Sequence, residues 1–153
     1  MTSVCLLDTS IFVEILDVPG MVAQRKEIMV ALEGKIQARE SLFLPMATIL
    51  ETGNHIGQNG DGRQRRACAE RFVEQVTQAL DGQSPFKPIS FLKQDELKNW
   101  LAEFPNHACR GSGLGDLSII HDWQRLCDQN ISRRVYIWSL DADLAGHDQP
   151  AKI

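Results

Sequence analysis

The sequence predicts an α/β fold, a three-layer α/β/α sandwich around a central, mainly parallel sheet. Two observations carry that expectation. Short β-prone runs alternate with stretches of helical apolar period from one end of the chain to the other. No linker, low-complexity segment or repeated unit of twenty to fifty residues interrupts the alternation. At 153 residues and 43% hydrophobic composition the chain is long enough for one sizeable core and too short for two ordinary domains. Residues 1–153 therefore read as one domain.

The elements follow in order. Val4 to Leu7 is a short apolar run ended by Asp8-Thr9-Ser10, side chains that cap helices. Ile11, Phe12, Ile15 and Leu16 then recur at helical spacing, so strand gives way to helix. Pro19-Gly20 breaks that helix, and Met21 to Arg39 reads as a longer amphipathic one with Val22, Ile28, Met29, Leu32 and Ile36 apolar. A second strand, Leu42 to Leu44, closes at Pro45. Met46 to Ile56 is helical in pattern, with Glu51 lodged among Ile49, Leu50 and Ile56. Gly57 to Gly62 reads as a turn-rich loop, and Arg63 to Leu80 as a helix turning Phe72, Val73, Val76 and Leu80 inward. Pro88 to Leu92 is a third candidate strand, and Asp95 to Phe104 a short helix stopped by Pro105. The glycine-rich run from Gly111 to Gly115 leads into a helix from Asp116 through Leu126. Val135 to Leu140 is the last strand, β-prone in Val135, Tyr136, Ile137 and Trp138.

The net charge of -4 argues against a surface that holds nucleic acid by bulk charge. A polyanion would need a local patch or a bound cation. The four cysteines, at positions 5, 68, 109 and 127, lack C-x-x-C spacing and a histidine ladder, so a structural zinc site is not expected. Free thiols in a reducing cytoplasm are the expectation. An acid at position 8 comes too early for a signal peptide, and no apolar run approaches the ~20 residues of a membrane span, so no membrane association is expected.

Four acids carry the chemistry. In open α/β sheets the working crevice lies outside the carboxyl ends of the strands, and Asp8 and Asp141 each follow a predicted strand. Each acid has a plain structural alternative. Asp8 and Asp116 read equally as helix caps, Glu51 as part of a solvated helix face, and Asp141 and Asp143 as turn or cap residues. Four separate coincidences are needed for that account, whereas one clustered site explains all four placements. Carboxylates ~4 Å apart repel by about 1 kcal/mol per pair in water and about 4 kcal/mol at an effective dielectric of about 20. A cluster therefore requires a cation or a captured proton. Oxygen-only ligands favour Mg²⁺ or Mn²⁺ over zinc, and such a site suits phosphodiester hydrolysis. His55, four residues after Glu51, lies either on the surface or on the same helix face, within reach of a ligand.

These residues resemble a known family. Leu6-Leu-Asp-Thr-Ser-Ile11 looks like the opening of PIN domains, Ala47-Thr-Ile-Leu-Glu51 like their second acidic motif, and Gly115-Asp-Leu-Ser-Ile-Ile120 like their third. Trp138-Ser-Leu-Asp-Ala-Asp-Leu144 is similar to their closing Thr-x-Asp motif. The motifs occur in family order over almost the whole chain, and the resemblance is closest to the VapC-like toxins of type II toxin–antitoxin systems. It implies a cytoplasmic Mg²⁺- or Mn²⁺-dependent endoribonuclease, with RNA as substrate, a cognate antitoxin as inhibitor and a homodimer as assembly. Asp8, Glu51, Asp116 and Asp141 would be the catalytic acids. Asp8, Asp116 and Asp141 would hold the metal, with Asp143 a further candidate. Ser139 replaces the usual threonine, and Thr9 or Ser10 would support the site through their hydroxyls. The stretch from Asp116 to Asp141 is longer than in compact members, with residues 128–134 as the insertion.

Two basic clusters, Arg63-Arg65-Arg66 and Arg133-Arg134, read as solvated charge or as phosphate contacts. Trp100, Trp123 and Trp138 fall in amphipathic or strand patterns and are expected in the core or an interface. Two other classes compete. An aspartate-dependent phosphatase needs a second Asp two residues after the first, where this chain has Ser10. A non-catalytic PIN-like module binding RNA or protein would keep the fold without the reaction.

Overall fold

In the computed structural model, residues 2–89 and 92–153 are described. Its centre is β1 (Val4–Leu7), every residue of which is fully buried. A strand apolar at each position has to be covered on both faces, and its two faces carry different helices. Cys5 and Leu7 enter one core with Leu42, Leu44 and Tyr136, whereas Val4 and Leu6 enter the other with Val135 and Ile137. The first core is completed by α1 (Thr9–Ile15), α2 (Arg25–Gln37), α3 (Met46–Gln58) and α4 (Gly62–Leu80), through residues such as Phe12, Ile28, Ile56 and Cys68. The second is completed by α6 (Leu114–Gln129) and α7 (Ala142–Ala145), through Ile119, Leu126, Cys127 and Leu144. α5 (Gln94–Cys109) packs against α6. Helices thus lie on both faces of the sheet, as a three-layer sandwich requires.

Besides β1 the sheet holds β2 (Ser41–Leu44), β3 (Phe86–Pro88), β4 (Val135–Trp138) and β5 (Asp148–Gln149), in the order β3-β2-β1-β4-β5. The first four strands run parallel, and β5 lies antiparallel on β4. After β1 the chain builds outward on one side to β2 and β3, then returns to the other side for β4. The order therefore reverses between β1 and β4, where an open α/β sheet leaves its crevice. Register pairs Leu7 with Trp138, so Asp8 and Ser139 emerge side by side at that reversal.

Several boundaries differ from those the sequence predicts, each for a physical reason. The helix expected from Met21 begins at Arg25, because the buried Glu14 carboxylate accepts from the backbone N–H groups of Ala23 (3.0 Å) and Gln24 (3.1 Å) and holds them in a bend. Val22 and Ile36 are exposed rather than inward. The loop expected over 57–62 shrinks to 59–61, since α3 runs to Gln58 and α4 opens on a reciprocal cap between Asp61 and Gln64. Val73, Leu80 and Leu50 face solvent, and Cys68 and Ala79 supply the buried face of α4 instead. α5 continues through Pro105. That proline leaves the Leu101 carbonyl without its N–H donor, and Leu101 lies on an exposed face where the carbonyl is open to solvent. The strand expected over Pro88 to Leu92 is found at Phe86–Pro88, and Ser90 and Phe91 of that expectation lie outside the described residues. β4 ends at Trp138, two residues early, because Ser139 and Leu140 turn toward β1.

The four cysteines are free thiols, three of them buried and Cys109 exposed. Among the described residues no helix is long and apolar enough to cross a membrane.

Candidate active site

Asp8 leaves the end of β1 with its N–H bonded to the Trp138 carbonyl (3.0 Å). It occupies the N-cap position of α1, yet its side chain caps nothing. Instead Oδ2 accepts from the Ser139 hydroxyl at 2.7 Å and the Ser10 hydroxyl at 2.9 Å. Those two hydroxyls in turn accept from the N–H groups of Asp141 (2.9 Å) and Leu140 (3.0 Å). The β1 and β4 ends are thereby stitched together around one carboxylate oxygen. The long stretch before β4 does not disturb this, because the strand register itself brings Ser139 beside Asp8.

Glu51 arrives on α3. That helix starts directly after β2, and the buried Thr48 hydroxyl donates to the Leu7 carbonyl at 2.7 Å, pinning its first turn to the end of β1. The Thr9 hydroxyl then donates to Glu51 Oε2 at 2.9 Å. Burial raises the affinity of Glu51 for a proton, and the negative charges of Asp8 and Asp116 raise it further. The bond from Thr9 and the nearby His55 oppose them. His55 thus shares the side of α3 that faces the acids.

Asp116 is the third residue of α6, which descends toward β4 and so begins at the same edge. Its carboxylate accepts from the Gly113 backbone, a helix-start bond that accompanies the favourable end of the helix dipole. Burial nevertheless raises its proton affinity, with Asp8, Asp141 and Asp143 adding repulsion. Gly115, one residue earlier, is where α6 meets Glu51: a Cβ there would stand 2.9 Å from the Glu51 carboxyl carbon. Glycine at this position leaves the space that the Glu51 carboxylate occupies.

Asp141 fulfils its structural alternative, capping α7 through Oδ1, which accepts from the Asp143 N–H at 2.9 Å. Both it and Asp143 are exposed, on the rim of the group formed by Asp8, Glu51 and Asp116. The five acids come from four separate parts of the chain, and the sheet edge collects them.

The donor set is chemically suited to a hard cation, being composed of carboxylate oxygens, and burial together with neighbouring negative charge raises the proton affinity of Glu51 and Asp116 within it. Among the described residues no three His, Cys, Asp or Glu side chains stand in a metal-holding arrangement.

The basic clusters lie elsewhere. Arg133 donates to the Thr2 carbonyl and the Ser41 hydroxyl, and Arg134 pairs with Asp148 at 2.7 Å while covering the Tyr136 ring. Both sit at the amino edge of the sheet, away from the acids, and serve the fold. Arg65 donates to the Gly60 carbonyl and Arg66 pairs with Glu70 at 3.2 Å, beyond the far end of α3. The basic residues near the acids are ones that no sequence pattern singled out. A cleft of about 390 Å³ is lined by Asp116, Asp141 and Asp143 together with His107, Arg110 and His147. The pair His107 and Arg110, directly ahead of the glycine run that leads to Asp116, was the available signal.

Compared with known proteins, the chain matches no family model and no curated protein.

Proposed function

We propose that this protein is a Mg²⁺- or Mn²⁺-dependent endoribonuclease of the PIN-domain type, working in the cytoplasm as the toxin of a toxin–antitoxin pair. One observation carries the reading. Acids at positions 8, 51, 116 and 141 gather at the carboxyl edge of the sheet, where burial, and then the charges of their neighbours, raise the proton affinity of Glu51 and Asp116. A fold gathers like charges in this way at a cost in stability, and functional sites are where such costs are retained.

Asp8, Asp116 and Asp141 are the residues that would hold the cation, with Asp143 beside them. When bound, the ion supplies a Lewis acid for a phosphoryl oxygen and the positive charge that this acidic edge lacks. Ser10 and Ser139 fix one oxygen of Asp8 and leave the other free to face the site. Thr9 fixes one oxygen of Glu51, and the remaining oxygen accepts the proton of the attacking water, a role suited to a carboxylate of raised proton affinity. Arg110 and His107 meet the anionic backbone on the Asp116 side. A cognate antitoxin and a second copy of the chain are the partners that the toxin reading brings with it. The phosphatase alternative has little to stand on, since the hydroxyl at position 10 donates to Asp8 rather than offering a second carboxylate.

The test is incubation of the purified protein with single-stranded and structured RNAs in Mg²⁺, Mn²⁺ or chelator, beside an Asp8→Asn variant. Cleavage that requires the ion and vanishes in the variant supports the reading. Cleavage that persists in both chelator and variant, or none under any condition, overturns it.

A further inference from the structure

We propose that a cavity on the other side of Glu51 binds one nucleobase of the RNA strand, next to the phosphodiester that the carboxylates attack. This rests on the ribonuclease reading. The cavity encloses about 270 Å³ among residues of α3, α5 and α6, and Glu51 and Gly115 belong to its lining as well as to the acid group. A base hangs one sugar away from its phosphate, and one side chain separates this cavity from the acids.

The lining matches a base in kind. Leu50, Leu97, Trp100 and Leu114 give apolar walls for its faces. Its polar edge needs donors and acceptors, and Ser118, Asp122 and Arg125 supply both. Arg125 is already held by Asp122 (2.7 Å) and Glu96 (3.3 Å), so these groups are fixed in place rather than free to collapse into the space. Leu50 is 61% exposed and Leu114 37% exposed, which leaves apolar surface beside a charged site.

The arrangement of the two openings selects the occupant. On the Glu51 side the acids adjoin an apolar cavity, and on the other side Asp116, Asp141 and Asp143 line a cleft that also holds His107, Arg110 and His147. A polynucleotide presents the same alternation, an apolar base and an anionic phosphate on either side of the bond to be cut. An apolar peptide segment would fill the cavity but presents no phosphate to Arg110 or to a cation held by the carboxylates.

Ala47, half-buried in the lining, is the position at which to fill the space. Cleavage kinetics of wild type and Ala47→Leu are compared on a short oligoribonucleotide and on copies carrying one abasic nucleotide at successive positions. Sedimentation is measured for both proteins, and wild type is titrated with the four free nucleosides while the Leu97 and Leu114 methyl resonances are followed. The expected result has three parts: KM rises tenfold or more in Ala47→Leu with a smaller change in kcat, one abasic position is penalised in wild type but not in the variant, and the two methyls shift saturably. A folded variant with unchanged KM overturns the pocket and leaves the ribonuclease reading standing. If wild type cuts no RNA, that reading falls, and the nucleoside titration alone decides the pocket: saturable shifts support it and silent methyls overturn it. If the variant alters only the sedimentation behaviour, the cavity is an interface between copies and the proposal is wrong. Should Ala47→Leu fail to fold, the wild-type measurements decide: a penalised abasic position with saturable methyl shifts supports the pocket, and the lack of either overturns it.

Discussion

Asp116 and Gly115 are adjacent in sequence and opposite in what they contribute. Asp116 brings a charge that its neighbours resist, so its folded form holds a proton more tightly than the unfolded chain does. A raised carboxyl pKa favours the fold at low pH, and that contribution is lost as pH rises through the folded value. Asp116→Asn is therefore expected to abolish RNA cleavage while melting no lower than wild type at pH 7 in chelator. A clear drop in melting temperature would mark Asp116 as a structural cap. Gly115 brings the absence of a side chain. Gly115→Ala should gain roughly 0.5–1 kcal/mol of helix stability from lower backbone entropy. The new Cβ nevertheless forces the Glu51 carboxyl aside and breaks its bond from Thr9. Cleavage is expected to fall tenfold or more in a variant whose melting temperature stays close to that of wild type, the helix gain offsetting the lost bond, with paired turnover and melting data as the check.

At the scale of elements, two junctions depend on buried charge. Glu14, 1% exposed at the end of α1, ties down the bend that precedes α2. Hydrogen bonds to charged groups are worth about 1.5–3 kcal/mol net, so Glu14→Ala should cost about 2 kcal/mol in urea unfolding. Amide exchange should quicken first over residues 23–28. Between α5 and α6, Asp122 is 4% exposed, and burial pushes its carboxyl up to about 6 against the pull of Arg125. The sign again favours the fold at low pH: the contribution is complete below the ordinary value of 3.8 and is lost as pH climbs through about 6. The change corresponds to roughly 3 kcal/mol. Wild type should lose stability over this window more steeply than Asp122→Asn. Parallel pH curves for the two proteins would show that the Asp122 carboxyl is not coupled to folding.

For the whole molecule, a cation that binds only the folded state stabilises it by RT ln(1 + [L]/Kd), about 2.7 kcal/mol at a hundredfold excess over Kd. Mn²⁺ is expected to raise the melting temperature with concentration, and the rise should depend more on Asp141 than on Asp143. The comparison is clean because asparagine caps a helix as well as aspartate does, so Asp141→Asn keeps α7 while removing a carboxylate. A shift that survives Asp141→Asn but disappears in Asp143→Asn would move the ligand by two residues.

The layered α/β class was legible in the sequence because alternation of apolar runs and helical periods is local information. So was the strand that became β1, apolar at every position from Val4 to Leu7. The acids were legible one at a time, Asp8, Asp116 and Asp141 where a strand ends or a helix begins and Glu51 within an apolar helical pattern, but the residues that hold them were only partly so. Thr9, Ser10 and Ser139 stood inside the recognisable motifs. The Thr48 anchor, the Glu14 brace, the basic cleft residues His107 and Arg110, and the antiparallel β5 carried no periodic signal. The helix start at Arg25 and the passage through Pro105 escaped for a similar reason, since a distant carboxylate decided the first and solvent exposure the second. The sequence by itself determined which segments form strands and helices and which acids stand at their ends, because these follow from local apolar pattern and cap chemistry. Only the tertiary structure decided that β1 and β4 are neighbours, that Ser139 reaches Asp8, and that Gly115 makes room for Glu51, because strand order and register are fixed by packing between residues far apart in the chain.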